Sequence, residues 1–282
     1  MSKLQPVIKW SGSKRSQAKS IVDNIHKNYD TYYEPFCGGC SVLFYILNNC
    51  PQKFKYYVCN DINKPLINLY NYIKNDYISV YNKYNELWSE LNKDNELERK
   101  KQYFNDVRAE FNTTHNPLLL FFLMRTCANG MPRYNLNGQF NTSFHLTRNG
   151  MTPDKVLKIL EDWSKILNKY DVQFESKTYT EIKPSNNDFM YLDPPYFNTK
   201  GMYYGTIDYD ALWKYLGQCS CDYMLSFDGI AGSENNIQSI PKNIYDKHIL
   251  LDSGNSSFRR VIGTSNNTNV YESLYIKERI NE

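Results

Sequence analysis

The chain has no long apolar run. Its longest, residues 118–124, falls far short of the ~20 residues that a membrane-crossing helix needs. No apolar stretch accompanies Lys3 or Lys9 in the way a secretory leader requires, so a cytoplasmic protein is expected. Charge of one sign is also wanting: 33 basic and 30 acidic residues leave a net +3. So small an excess says little about partners, because nucleic acids are bound by a patch rather than by a total. The seven cysteines are odd in number, which, without a secretory signal, argues against a disulfide framework. No histidine lies near Cys37 and Cys40 or near Cys219 and Cys221, and the latter spacing is poor for structural zinc. Internal repeats, low-complexity segments and linkers are absent. What remains is globular in composition, 41% hydrophobic and 22% charged over 282 residues, enough for one large domain or two unequal ones.

Among the features present, Asp193-Pro194-Pro195-Tyr196 is the most informative. It follows Phe189-Met190-Tyr191-Leu192, an apolar and aromatic run that predicts a buried strand. The two prolines fix φ, carry no N–H and push the residues before them towards extended conformations. The carbonyls of this turn therefore cannot be consumed by a helix starting there. Together with the Asp193 carboxylate they can hold a flat ligand by an amino group while Tyr196 stacks on its face. A purine or pyrimidine with an exocyclic NH2 fits. Asp-Pro-Pro also occurs in ordinary loops, so the rest of the chain must decide.

Tyr32 and Tyr33 lead into Glu34-Pro35-Phe36-Cys37-Gly38-Gly39-Cys40, which reads as a strand, a glycine turn and then an apolar helix through Leu47. Glycines at such a turn let a ligand approach the backbone, and the helix N-terminus offers unpaired N–H groups. Tyr57-Val58-Cys59 then ends in Asn60-Asp61. An acidic residue ending the second strand of a doubly wound sheet holds ribose hydroxyls, so turn and carboxylate together predict a nucleoside-type cofactor. Upstream, Lys9-Trp10-Ser11-Gly12-Ser13-Lys14-Arg15 looks like a phosphate loop but does not meet the P-loop spacing; a capped basic loop explains it equally well.

Apolar residues at three- and four-residue steps, such as Leu66, Leu69, Tyr70 and Ile73, predict helices over 65–77, 81–91 and 97–111, followed by apolar 118–125 and by 153–170. Strand signals recur at 172–174, 190–192, 224–227, 249–251 and 271–276. The stretch 129–141, rich in amides and glycine and bearing Arg133, reads as a hairpin loop. A simple crossover between parallel strands needs about thirty residues. Far more, mostly helical, intervenes between the glycine turn and Asp193. The expectation is an α/β sheet domain made of 1–62 and 150–282, with an inserted, mainly helical subdomain at 63–149 and a hairpin near 129–148.

Taken together, these motifs resemble the DNA adenine-N6 methyltransferases, in particular the GATC-methylating family of bacteria and their phages. Lys9 to Lys14 matches its KWxGGK element, with Ser13 in place of the second glycine; Glu34 to Gly39 matches its EPFxGG turn; Asn60-Asp61 matches its acidic strand end. Asn129-Gly130 with Arg133-Tyr134-Asn135, Gly138 and Phe140-Asn141 matches its target-recognition hairpin, and Asp193 to Tyr196 its catalytic motif. The resemblance spans nearly the whole chain. It implies a Rossmann-like methyltransferase sheet, S-adenosylmethionine as methyl donor, no metal, duplex DNA as substrate and an inserted target-recognition subdomain. By the same carry-over, Trp10, Lys14, Phe36, Gly38, Asp61 and Asp193 line or contact the cofactor site, and Cys37 and Cys40 need no redox role. Asp193, Pro194, Pro195 and Tyr196 are the expected catalytic residues. Lys9, Asn129, Met131, Arg133 and Asn135 are the expected DNA contacts. Arg133 suits a bidentate contact to guanine, the alternative being a phosphate clamp.

There are departures. Ala128 stands where the family often has an aromatic wedge, and Ser143-Phe144-His145-Leu146 replaces a proline followed by Phe-Gly-Arg, with Arg148 close by. The expected target is therefore GATC or a related short site. Rivals are a cytosine-N4 enzyme, which usually has serine at the Asp193 position, and a glutamine methyltransferase, which usually has asparagine there. An adenine enzyme acting on RNA, a catalytically silent DNA binder and, weakest of all, a thiol redox protein built on Cys37 and Cys40 complete the set. A partner restriction enzyme stays open.

Overall fold

The computed structural model describes residues 4–197, 204–205, 207–255 and 269–279. Lys3 and the remaining parts of the expected 1–62 and 150–282 unit lie outside them. Five strands come first in the sheet: β1 (Tyr29–Glu34), β2 (Phe54–Asn60), β3 (Gln173–Glu175), β4 (Phe189–Leu192) and β5 (Asp222–Ala231). These pair in parallel, in the order β3-β2-β1-β4-β5. Strands β7 (Lys247–Asn255) and β8 (Asn269–Lys277) extend the sheet antiparallel, β8 beside β5 and β7 outermost, and the two-residue β6 (Glu234–Asn235) pairs with β5. The chain steps outward from β1 to β3 and then returns to β4 on the other side of β1. Strand order thus reverses between β1 and β4, and a crevice opens there at the carboxyl ends of the strands, where Rossmann-like folds bind ligands.

The alternation of side chains along β4 explains why it reads as a continuous apolar run. Phe189 and Tyr191 enter one core and Met190 and Leu192 the other, so both faces of the strand are covered. The first core holds an aromatic layer of Tyr29, Tyr32, Phe54 and Phe189, joined to helices α1 (Ala18–Asp23) and α2 (Ser41–Asn49). The second is closed by α8 (Tyr209–Gln218) through Leu212 and Leu216.

Between β2 and β3 run α3 (Lys64–Asn75), α4 (Tyr77–Leu91), α5 (Leu97–Thr114), α6 (Pro117–Thr126) and α7 (Pro153–Lys169). Helix α6 is apolar almost all round because α3, α4 and α5 pack around it. The sequence predicts a gap between residues 77 and 81. The structure puts the break at Asp76, which ends α3 and caps α4 by accepting the Ser79 N–H at 3.2 Å. The predicted hairpin after α6 is a loop held by two isolated antiparallel bridges, Cys127 to Phe144 and Tyr134 to Phe140. No described helix is long and apolar enough to cross a membrane.

Candidate active site

A cavity of about 870 Å³ occupies the crevice. One wall is the loop after β1. Gly38 adopts φ +42°, and a Cβ there would lie 2.5 Å from Trp10 Nε1, so the indole of the N-terminal segment lies directly against a backbone that only glycine supplies. The Gly38 N–H donates to Asp61 Oδ2 at 3.0 Å, and the Asn63 N–H donates to Asp61 Oδ1 at 2.9 Å. The ends of β1 and β2 are thereby joined through one carboxylate. Of the N–H groups that the sequence expects to be unpaired at the start of α2, that of Leu43 is taken by buried Glu34 at 3.2 Å, which also accepts the Tyr32 hydroxyl at 2.8 Å.

The opposite wall is the turn after β4. Lys14 is buried, donates to the Gly12 carbonyl at 3.1 Å and reaches two carboxylates: Asp193 Oδ1 at 2.9 Å and Glu272 Oε2 at 3.2 Å. Its ammonium also lies 4.9 Å from the centre of the Tyr196 ring, whose hydroxyl donates to Glu272 Oε2 at 2.9 Å. Of the turn's carbonyls, that of Pro195 already accepts from the Tyr209 hydroxyl at 2.9 Å. Trp10, Lys14, Phe36, Gly38, Asp61, Asp193, Pro194, Pro195 and Tyr196 all line this single cavity, and Met131 joins them.

The other expected contacts sit in the adjoining 127–148 segment. Lys9 lies over Gly130, where a Cβ would meet its Cδ at 2.5 Å. Asn129 is exposed in the left-handed region at φ +58°. The Arg133 backbone is fixed by Thr142 Oγ1 at 2.9 Å and by the Asn141 N–H at 3.0 Å. The carboxamide of Asn135 closes the loop on itself: its oxygen accepts from the Asn137 and Gln139 N–H groups, and its nitrogen donates to Gln139. Buried Tyr134 fastens this segment to the cavity's edge, its hydroxyl accepting from Asn63 Nδ2 at 3.0 Å.

The family model for D12 class N6 adenine-specific DNA methyltransferases matches residues 10–249. The chain belongs to that family. It is an adenine-specific DNA methyltransferase, and DNA is its substrate. The Type II methyltransferase M.MjaIII of Methanocaldococcus jannaschii is 31% identical over 205 residues, 68% of this chain and 69% of that one. The DNA adenine methylase of Serratia marcescens is 32% identical over 205 residues, covering 70% and 68%. The solved rRNA methyltransferase aviRa from Streptomyces viridochromogenes aligns at 9% identity over 96% of this chain and 87% of that one, with a TM-score of 0.38, too distant a likeness to support an argument.

In this D12-class methyltransferase the two cavity aspartates are both hard to ionise. Burial pushes Asp193 up to about 6 against the pull of Lys14, and pushes Asp61 up to about 6 against its two backbone N–H bonds. Cys37, Cys40 and Cys59 are buried beside the glycine turn; burial raises the thiols of Cys37 and Cys59, whereas at Cys40 burial is outweighed by hydrogen bonds from Cys37, Cys59 and Tyr70, which hold its thiol below the usual range. Cys219 and Cys221 have their sulfurs 3.2 Å apart as free thiols. Among the described residues no cluster of three or more His, Cys, Asp or Glu converges as a metal site. Sequence reasoning missed Glu272, and also Lys177 and Tyr179, which line the cavity near Phe36. The available signal for Glu272 was a carboxylate inside the aromatic and aliphatic strand 271–276.

Proposed function

We propose that this methyltransferase moves the methyl group of S-adenosylmethionine to N6 of an adenine flipped out of duplex DNA, within GATC or a related short site. The reading rests on one observation: the Asp193 carboxylate and Pro194, at the end of β4, share a cavity with Gly38 and Asp61 at the ends of the neighbouring strands. The residues present fit the cofactor. The volume suits a nucleoside with an amino-acid tail, and Asp61 ends β2 as a ribose-binding carboxylate does. Trp10 lies on a glycine backbone that any Cβ would block, and Phe36 and Tyr179 offer apolar faces. When bound, the cofactor supplies a methyl group on a positively charged sulfonium.

The protein's own contribution follows from the chemistry of the amino group. Adenine N6 is a poor nucleophile because its lone pair is delocalised into the ring. Asp193 and the Pro194 carbonyl accept its two N–H bonds and favour a more tetrahedral nitrogen, whose lone pair is then directed out of the ring plane. This is catalysis by orientation and electrostatics. The amino proton released on alkylation passes to Asp193 or through it to water. Tyr196 stacks on the extruded base. Trp10, Lys14, Phe36, Gly38 and Asp61 hold the cofactor. We further assign residues 63–149 to target recognition, with Lys9, Asn129, Met131, Arg133 and Asn135 facing the duplex and Arg133 reading a guanine. Its closeness to the cavity through Met131 and Tyr134 supports this assignment.

The test is single-molecule sequencing of unmethylated genomic DNA after incubation with the protein and S-adenosylmethionine. N6-methyladenine confined to GATC supports the whole reading. The same mark in another motif keeps the reaction and reassigns the site. No mark on duplex DNA, with cofactor binding measured separately, sinks the proposal.

A further inference from the structure

Glu272 is a cavity carboxylate that the reaction described above does not use. It lies on β8, some eighty residues after Asp193, and is brought to the catalytic turn by the pairing of β8 with β5 and β7. Its Oε2 carries two contacts at once, Lys14 Nζ at 3.2 Å and the Tyr196 hydroxyl at 2.9 Å. Lys14 is therefore a single buried cation between two anions, Glu272 and Asp193, whose side chains are 22% and 19% exposed. Were Lys14 held by Asp193 alone, its full charge would bear on the carboxylate that must accept the amino group, and that carboxylate would be a weaker acceptor.

We propose that Glu272 is a positioning residue for methyl transfer: it takes part of the Lys14 charge away from Asp193 and fixes the plane of the Tyr196 ring through the ring's hydroxyl. The assignment rests on the role given above to Asp193. The groups facing Asp193 are Lys14 from the N-terminal segment, Glu272 from β8, Tyr196 from its own turn, Tyr191 from β4 and Glu34 from β1. Asp228 on β5 adds a further negative charge near Lys14 and Glu272. Burial is the main reason Asp193 is hard to ionise and Lys14 opposes it, while the negative charge of Glu272 works in the same direction as burial.

Glu272→Gln keeps the size and the acceptor for Tyr196 but removes the charge, and Glu272→Asp keeps the charge. The carboxyl carbon of Asp193, labelled with 13C and assigned by its loss in Asp193→Asn, can be followed by NMR through pH 4.5–8 in the full unliganded chain. In Glu272→Gln its midpoint is expected to move towards acid by roughly tenfold in proton concentration, with a methylation rate at neutral pH lower by about the same factor; in Glu272→Asp the midpoint returns towards the wild-type value. Thermal melting run alongside identifies a variant that fails to fold; if Glu272→Gln is that variant, Glu272→Ala, which also removes the charge, takes its place in the comparison. An unmoved Asp193 midpoint in a folded Glu272→Gln protein overturns the proposal. If Asp193→Asn itself retains turnover, the reading of Asp193 fails, while the NMR comparison separately decides whether Glu272 sets the charge at the turn.

Discussion

Asp193 carries two opposed demands. Its burial makes it costly to ionise despite the opposing pull of Lys14, and the proposed reaction requires it as an acceptor. A folded-state pKa raised above the ordinary carboxylate value means that the folded protein holds this proton more firmly than the unfolded chain. Stability from this group is therefore fully present below about pH 4 and lost as pH rises through about 6. Asp193→Asn removes that loss. It is expected to be more stable than wild type at pH 8 by on the order of 1–3 kcal/mol, seen as a higher melting temperature, with the advantage gone near pH 4. Equal melting at both pH values would refute the burial argument. The same substitution, or Asp193→Ala, is expected to cut methyl transfer by about 100-fold or more while DNA binding survives, as measured by single-turnover methylation and by gel shift. The activity of the wild-type enzyme should then fall away on the acid side of about pH 6, where Asp193 becomes protonated. At Gly38 the constraint is steric. Gly38→Ala combines a left-handed φ with a Cβ 2.5 Å from Trp10, and calorimetry should show weakened S-adenosylmethionine binding as the indole is displaced.

At the scale of elements, β5 and β8 meet with a register shift between Phe227 and Ile230. Gly229 sits in that bulge, and a Cβ there would collide with the Tyr271 carbonyl and come within 2.8 Å of Glu272 Cα. Gly229→Ala should therefore destabilise the fold by about 1–3 kcal/mol and also lower activity by shifting Glu272, a pairing that chemical denaturation and rate measurements on the same sample would reveal. Loss of stability with unchanged specific activity would separate the bulge from the site. These contacts mark the limit of what could be read in the sequence. Strand β4 was legible because a strand buried on both faces is apolar throughout, and α3 to α7 because their apolar residues recur at helical steps. The glycine turn and the acidic end of β2 were legible from their own residues, while Trp10 was placed beside them only through the family resemblance. Helix α1, only six residues long, has no stability of its own to advertise, and α8 rests mainly on two buried leucines that become meaningful only against β4 and β5. Glu272 was hidden because nothing near it in sequence says that β8 delivers it to Lys14.

At the scale of the whole molecule, the proposed chemistry and the proposed recognition fall on adjoining parts of the chain. The cavity lies where strand order reverses, and the 127–148 segment is tied to its rim: Asp61 accepts the Asn63 N–H, and Asn63 in turn donates to the Tyr134 hydroxyl. Asn63 also caps α3 by accepting the Leu66 N–H at 3.2 Å, so its side chain holds the helix and the 127–148 segment together. With a net charge of only +3, affinity for DNA at large must come from local clusters; on the proposed reading, choice of site comes from a few side chains of this segment. Arg133 is the side chain on which that division turns. If it reads a guanine, Arg133→Ala should weaken binding to the cognate duplex by about 1–3 kcal/mol and spread methylation to sites differing at one position, while binding to unrelated DNA and to S-adenosylmethionine is unchanged. If it grips a phosphate, binding should fall equally on every sequence, and the salt dependence of affinity should lose about one ion's worth of slope. Titrations of cognate and scrambled duplexes across salt concentration distinguish the two. A uniform loss would move sequence readout away from Arg133 to the remaining candidates, Lys9, Asn129, Met131 and Asn135. Among these, Asn135 is the least suited, because its carboxamide is already engaged in closing the loop.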